Sequence, residues 1–122
     1  MSSTPPWGGP GDHNLSEAAL EAIAAVLEPA ETVELVAPAV GSSLVLTQRR
    51  LMVIRDGANF RPKTGVRTFE LDAAVAIRIG PARRRVIIES GGKTINVFVR
   101  SEQLAQAEAF VAEVRHRIYG DG

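Results

Sequence analysis

Three consecutive arginines, Arg83-Arg84-Arg85, are the sharpest chemical feature of this 122-residue chain. Guanidinium groups bunched at a turn are placed to meet acidic lipid, nucleic acid or an acidic protein segment. At an anionic membrane each basic residue contributes roughly 1 kcal/mol, so the triplet offers about 3 kcal/mol. That is weak for one copy and useful for several copies held in one assembly. The plainer reading is a solvated hairpin tip that discourages edge aggregation. A second basic group, Arg61 and Lys63 flanked by Arg55 and Arg67, falls in the glycine-, asparagine- and proline-containing stretch 56–65. Arg83, Arg84, Arg85, Arg61 and Lys63 are therefore the candidate binding residues.

Other chemistries find little footing. The chain has no cysteine, so it has neither disulfides nor thiolate metal sites, and its two histidines, His13 and His116, stand at opposite ends. No metal and no cofactor is implied. No serine sits in a glycine-flanked nucleophile turn. Glu70 and Asp72 are close in sequence, but carboxylates near a strand end usually face solvent, and Gly91-Gly92 is explained by a hairpin. The expectation is a protein that is not an enzyme. Nucleic acid is a poor match, because exposed aromatics do not interleave with the basic residues and the formal net charge is zero. No apolar run approaches the roughly 18 residues that span a bilayer. The N-terminal segment lacks the basic and apolar parts of a secretory signal, so a cytoplasmic location is expected.

The zero net charge hides a segregation. Residues 1–48 carry six acids and no Lys or Arg, whereas residues 49–122 carry fourteen basic residues against eight acids. The two parts are thus −6 and +6. Such complementary charges either join copies into an oligomer, head to tail, or are satisfied within one chain.

Positioning these groups falls to short elements. Residues 1–14 hold three prolines, three glycines and the lone Trp7. They read as a disordered tail in which Trp7 is either a docking anchor or incidental. Asn14 or Ser16 caps a first helix with an apolar stripe of Leu20, Ile23, Ala24 and Leu27, ended by Pro29. Seven short β-type segments follow between residues 32 and 99. Val33 and Leu35 share one side of the first, which breaks at Pro38. Val75, Ile77 and Ile79 alternate with polar or small residues, and Ile95, Val97 and Val99 point inward on the last strand. Phe98 and Ile87 then point outward and need cover, from the first helix or from another subunit. Ser101 caps a closing helix whose face carries Leu104, Ala107, Val111, Val114 and Ile118, with Phe110 beside them.

The order of seven strands and one closing helix resembles the pleckstrin-homology superfold. The run Leu46-Thr47-Gln48-Arg49-Arg50-Leu51-Met52-Val53 is similar to the LT-x-x-R-L hairpin of bacterial PH-like domains. So is the helix leading into Glu31-Thr32-Val33-Glu34. The likeness covers residues 16–119. Two departures stand out: the closing helix has Phe110 and no tryptophan, and the first hairpin loop, Ala39-Val40-Gly41-Ser42-Ser43, is uncharged. The resemblance implies a binding or assembly module, ring-forming members included, without inositol-lipid selectivity.

The expected architecture is α+β and mainly β. A PH-like seven-stranded antiparallel barrel over residues 15–120 is capped by the C-terminal helix and carries an extra N-terminal surface helix. The expected function is a non-catalytic interaction or self-assembly module whose partner is another protein or itself. The alternative is a peripheral membrane adaptor that contacts anionic lipid weakly through its arginine-rich loops.

Overall fold

The computed structural model of the chain describes residues 17–56, 65–72 and 74–120. The expected tail 1–14 with Trp7, the capping residues Asn14 and Ser16, and Arg61 and Lys63 lie outside the described residues. Two helices, α1 (Glu17–Val26) and α2 (Leu104–Tyr119), flank seven strands. These are β1 (Val33–Ala39), β2 (Ser42–Thr47), β3 (Arg50–Arg55), β4 (Val66–Glu70), β5 (Ala76–Ile79), β6 (Arg85–Ser90) and β7 (Lys93–Phe98). The α+β, mainly-β class and the seven antiparallel strands are as expected.

The closed barrel is not. Strands β1-β2-β3-β4 form one sheet and β5-β6-β7 a second. The break falls at Asp72, whose Oδ1 accepts the Ala74 N–H at 2.9 Å while its carbonyl accepts the Val75 N–H at 3.1 Å. This side-chain-supported turn redirects the chain before it can run alongside β4, so β5 starts a new sheet.

The sheets share one core. Leu44, Leu46, Leu51 and Val53 come from the first, Ile77, Val86, Ile88 and Val97 from the second, and Phe110 and Val114 from α2. The apolar stripe of α2 forms as its spacing predicts, and the helix packs against β1 and β5, one edge strand of each sheet. It therefore covers the gap between the sheets on that side. Ser101 does not cap it: Ser101–Gln103 forms a separate 3₁₀ turn, closed by Gln103 Oε1 accepting the Arg100 N–H at 2.8 Å.

A second, smaller core lies on the outer face of the four-stranded sheet. Here α1 sets Ala22 and Ile23 against Val33, Val36, Val45, Met52 and Ile54. The buried row of α1 is Ala19, Ala22 and Ile23, whereas Ala24 is exposed. The helix ends at Val26, yet Leu27 just past its end still packs against this core, so the expected stripe departs chiefly at Ala24, whose place Ala19 and Ala22 take. A register shift between Val33 and Leu35 also separates two residues expected on one side. Val33 joins the α1 core and Leu35 packs against the inter-sheet core, because an extra residue in a strand inverts the alternation beyond it. Strand β1 runs through Pro38 to Ala39. It is an edge strand, where a missing N–H is tolerated.

The hairpin Thr47-Gln48-Arg49-Arg50 locks these layers together. Arg50 donates from Nε and Nη2 to the two carboxylate oxygens of Glu31, both at 2.6 Å, and from Nη2 to the Val26 carbonyl at 3.1 Å. Thr47 Oγ1 donates to Glu31 at 2.8 Å and accepts the Arg49 and Arg50 N–H groups at 3.1 Å. Gln48 spans to the same connection, donating to the Ala30 carbonyl and accepting the Thr32 N–H, each at 2.8 Å. The Arg50 hydrogen bonds, with help from the Glu28 N–H, Thr47 and the Arg50 charge, outweigh burial and lower the Glu31 pKa from 4.5 to about 2.

Two outcomes follow. The Glu31 shift is worth about 3 kcal/mol at roughly 1.4 kcal/mol per unit. Because the folded pKa is the lower one, this stability is complete above pH 4.5 and drains away as pH falls towards 2. Denaturant titrations across that range should show the slope in the parent and a flatter profile in Glu31→Gln. Val114 is fully buried mid-helix, so Val114→Asp strands a charge in the core and should cost about 3 kcal/mol or more. Coincident thermal melts of mutant and parent would show that α2 does not close the core.

Candidate functional site

The arginine triplet does not form one basic tip. Pro81–Arg83 is a 3₁₀ turn, with Ala82 at φ +68° and Arg83 at φ +55°. Residues with a Cβ rarely adopt such values, at roughly 1 kcal/mol each. The turn is held by the Gly80 N–H on the Arg85 carbonyl at 2.9 Å and the Arg83 N–H on the Gly80 carbonyl at 3.1 Å. From it the three side chains diverge. Arg83 makes an ion pair with Glu108 on α2. Arg84 is exposed, and its carbonyl accepts the Val99 N–H at 2.8 Å. Arg85 is half-buried, with its Nε enclosed and without a hydrogen-bond partner among the described residues.

The expected outward patch forms only in part. Phe98 is 54% exposed, but Ile87 is only 4% exposed. Helix α1 covers neither, since it packs on β2 and β3. A Cβ at Gly80 would stand 2.9 Å from Ile87 Cδ1 and 3.0 Å from Arg85 Cγ. Glycine thus lets the backbone close over Ile87 alongside the Arg85 stem.

A different cationic cluster emerges on the side of the sandwich away from α2. There β4 and β7 are the free edges of their sheets, and no backbone hydrogen bond joins them among the described residues. Between them runs a groove made of two clefts of about 360 and 630 Å³ that share Arg67, Thr94 and Ile95. Val53, Phe69, Ile95 and Val97 give it an apolar floor, while Arg55, Arg67 and Lys93 line its rim.

Strand register explains why these cations are there. Arg67 pairs with Val53 and so shares its inward face. Arg55 lies two residues after Val53, and Lys93 two before Ile95, on the same alternation. All three therefore occupy inward-register positions that a closed barrel would fill with apolar side chains. None of them makes an ion pair, and no acidic residue lines the groove, among the described residues. Arg55 and Arg67 were legible as flanks of the basic loop. Lys93 was missed, although Lys93-Thr94-Ile95-Asn96-Val97 carries the signal: a charge in phase with inward apolar residues.

Glu70 and Asp72 are both exposed. No group of three or more His, Cys, Asp or Glu residues gathers to hold a metal among the described residues. No helix there is long and apolar enough to cross a membrane. No family model, curated protein or solved structure matches the chain.

The strained turn makes a prediction of its own. Ala82→Gly removes the Cβ from a left-handed position and should stabilise the fold by up to about 1 kcal/mol in thermal or denaturant unfolding. A loss of stability would show that the turn carries no strain at this residue.

Proposed function

We propose that this chain is a non-catalytic binding module of the PH-like type, and that its ligand seat is the groove between β4 and β7. The four-plus-three strand order with a closing helix, and the Thr47–Arg50 hairpin locked to Glu31, support the PH-like assignment. The single observation that carries the functional reading is the set Arg55, Arg67 and Lys93. These are three cations without an ion-pair partner among the described residues, at inward-register positions around an open, apolar-floored groove. Fixed positive charge in such a cleft attracts an anionic partner and gains strength from the partly desolvated walls.

A partner of different sequence fits better than a charge-driven ring of copies. Glu28–Arg49, Glu31–Arg50 and Glu34–Arg117 join the acidic N-terminal part to the basic remainder inside one chain. The arginine triplet adds little to membrane contact, because Arg83 is paired and Arg85 half-buried. Arg84 alone offers roughly 1 kcal/mol.

The test is an NMR titration of the ¹⁵N-labelled chain with hexaglutamate, beside phosphatidylserine and phosphoinositide vesicles of matched charge. Shifts concentrated at Arg67, Lys93, Thr94 and Ile95, weakening as salt shortens the Debye length from about 10 Å at 0.1 M to about 3 Å at 1 M, are expected. No selectivity for phosphoinositide is expected. Perturbation confined to Pro81–Arg85, or head-group-selective vesicle binding, would overturn the reading.

A further inference from the structure

The groove has a backbone side as well as a charged one. Ser90 and Lys93 flank the two-residue turn Gly91-Gly92, where φ is +59° and +81°. In such a hairpin the closing pair exchanges hydrogen bonds, and so does every second pair after it. Ile95 and Val97 thus direct their peptide groups towards β6, and Thr94, Asn96 and Phe98 direct theirs outward into the seam. The outward direction is visible at Phe98, whose carbonyl accepts the Val40 N–H at 2.8 Å across the corner of the sandwich. Beyond that bond the edge continues through Asn96 and Thr94 with no backbone partner among the described residues.

We propose that the groove takes an extended acidic peptide segment of a partner protein, which adds as a strand to β7. The proposal rests on the reading of the groove as the ligand seat and specifies its occupant. The peptide continues the pairing that Val40 begins at Phe98, forming hydrogen bonds with Asn96 and Thr94. About six residues, near 20 Å of extended chain, cover the edge. Side chains alternate between the two faces of a strand, so every second residue points into the groove. Carboxylates there meet Arg55, Arg67 and Lys93. A second copy of β7 is the wrong occupant, because its Lys93 would enter a groove already rimmed by like charge. A lipid surface supplies anions but no peptide donors and acceptors for the edge.

The experiment measures binding of the full chain to a blocked nine-residue peptide of alternating glutamate and valine, by calorimetry or fluorescence anisotropy. Two analogues carry ester-for-amide replacements at odd or at even residues, which remove N–H donors without adding bulk. A lysine-for-glutamate peptide and phosphatidylserine vesicles complete the set. Saturable binding of the parent peptide below about 1 mM is expected. One ester analogue should lose about tenfold and the other little, since only alternate residues pair with a given edge. Arg67→Glu should weaken binding by about tenfold and Arg67→Gln by less, with unchanged thermal melts, while Arg84→Glu should leave it unaltered. Equal binding of both ester analogues and the parent overturns strand addition and leaves the groove as a charge-reading seat. No peptide binding up to about 1 mM, or binding to vesicles alone, overturns both the occupant and the seat.

Discussion

The fold depends on one buried ion pair. Glu31 has no solvent-exposed side-chain area, and Arg50 reaches it with two donors at 2.6 Å. A carboxylate removed from water is costly unless its oxygens are fully engaged. Here the guanidinium fork, the Thr47 hydroxyl and the Glu28 N–H engage them. The same arginine holds the last carbonyl of α1, and the neighbouring Gln48 brackets residues 30 and 32. The exit of α1, the entry to β1 and the β2–β3 turn are thereby joined at one point. Breaking such a pair from one side leaves the other charge stranded, which typically costs 3–5 kcal/mol. The hairpin motif is thus a structural device.

From that point the two sheets acquire unlike seams. On one side α2 bridges β1 and β5, tied by the Arg117–Glu34 ion pair and by Arg115 Nη1 donating to the Ile77 carbonyl at 3.2 Å. On the other side, β4 and β7 face each other without a helix or ladder between them among the described residues. Free strand edges invite pairing and are normally blunted. Here the blunting device is cationic, Arg67 on one edge and Lys93 on the other. The same charges rim the groove proposed above as the ligand seat.

Much of the fold was legible because it is written in local period. Alternation marked the strands, 3–4 spacing marked the apolar face of α2, and the polar interruption at Thr47–Arg50 marked the hairpin. The misread parts share a cause. The bulge after Val33, the buried row of α1 and the passage of β1 through Pro38 each depend on what lies across the sheet. The arrangement of the arginine triplet was not legible for the same reason. Adjacency in sequence suggested one cluster, but two left-handed residues and an ion pair to Glu108 send the three side chains apart.

The site shows the division most sharply. Sequence alone determined that Lys93, Ile95 and Val97 share a strand face, since side chains alternate whatever lies opposite. It determined too that Arg55 and Arg67 flank a glycine- and proline-containing loop, whereas the joining of Glu31 to the Thr47–Arg50 hairpin is seen only in the tertiary structure. Tertiary structure decided that β4 and β7 would face each other with no pairing between them among the described residues, because the Asp72 turn diverts β5 and α2 packs on the opposite seam. That choice brings Arg55 and Arg67 of the β3–β4 pair together with Lys93 of the β6–β7 hairpin on the rim of one groove. Sheet edges are set by long-range pairing, and local periodicity carries no information about which edge is left open.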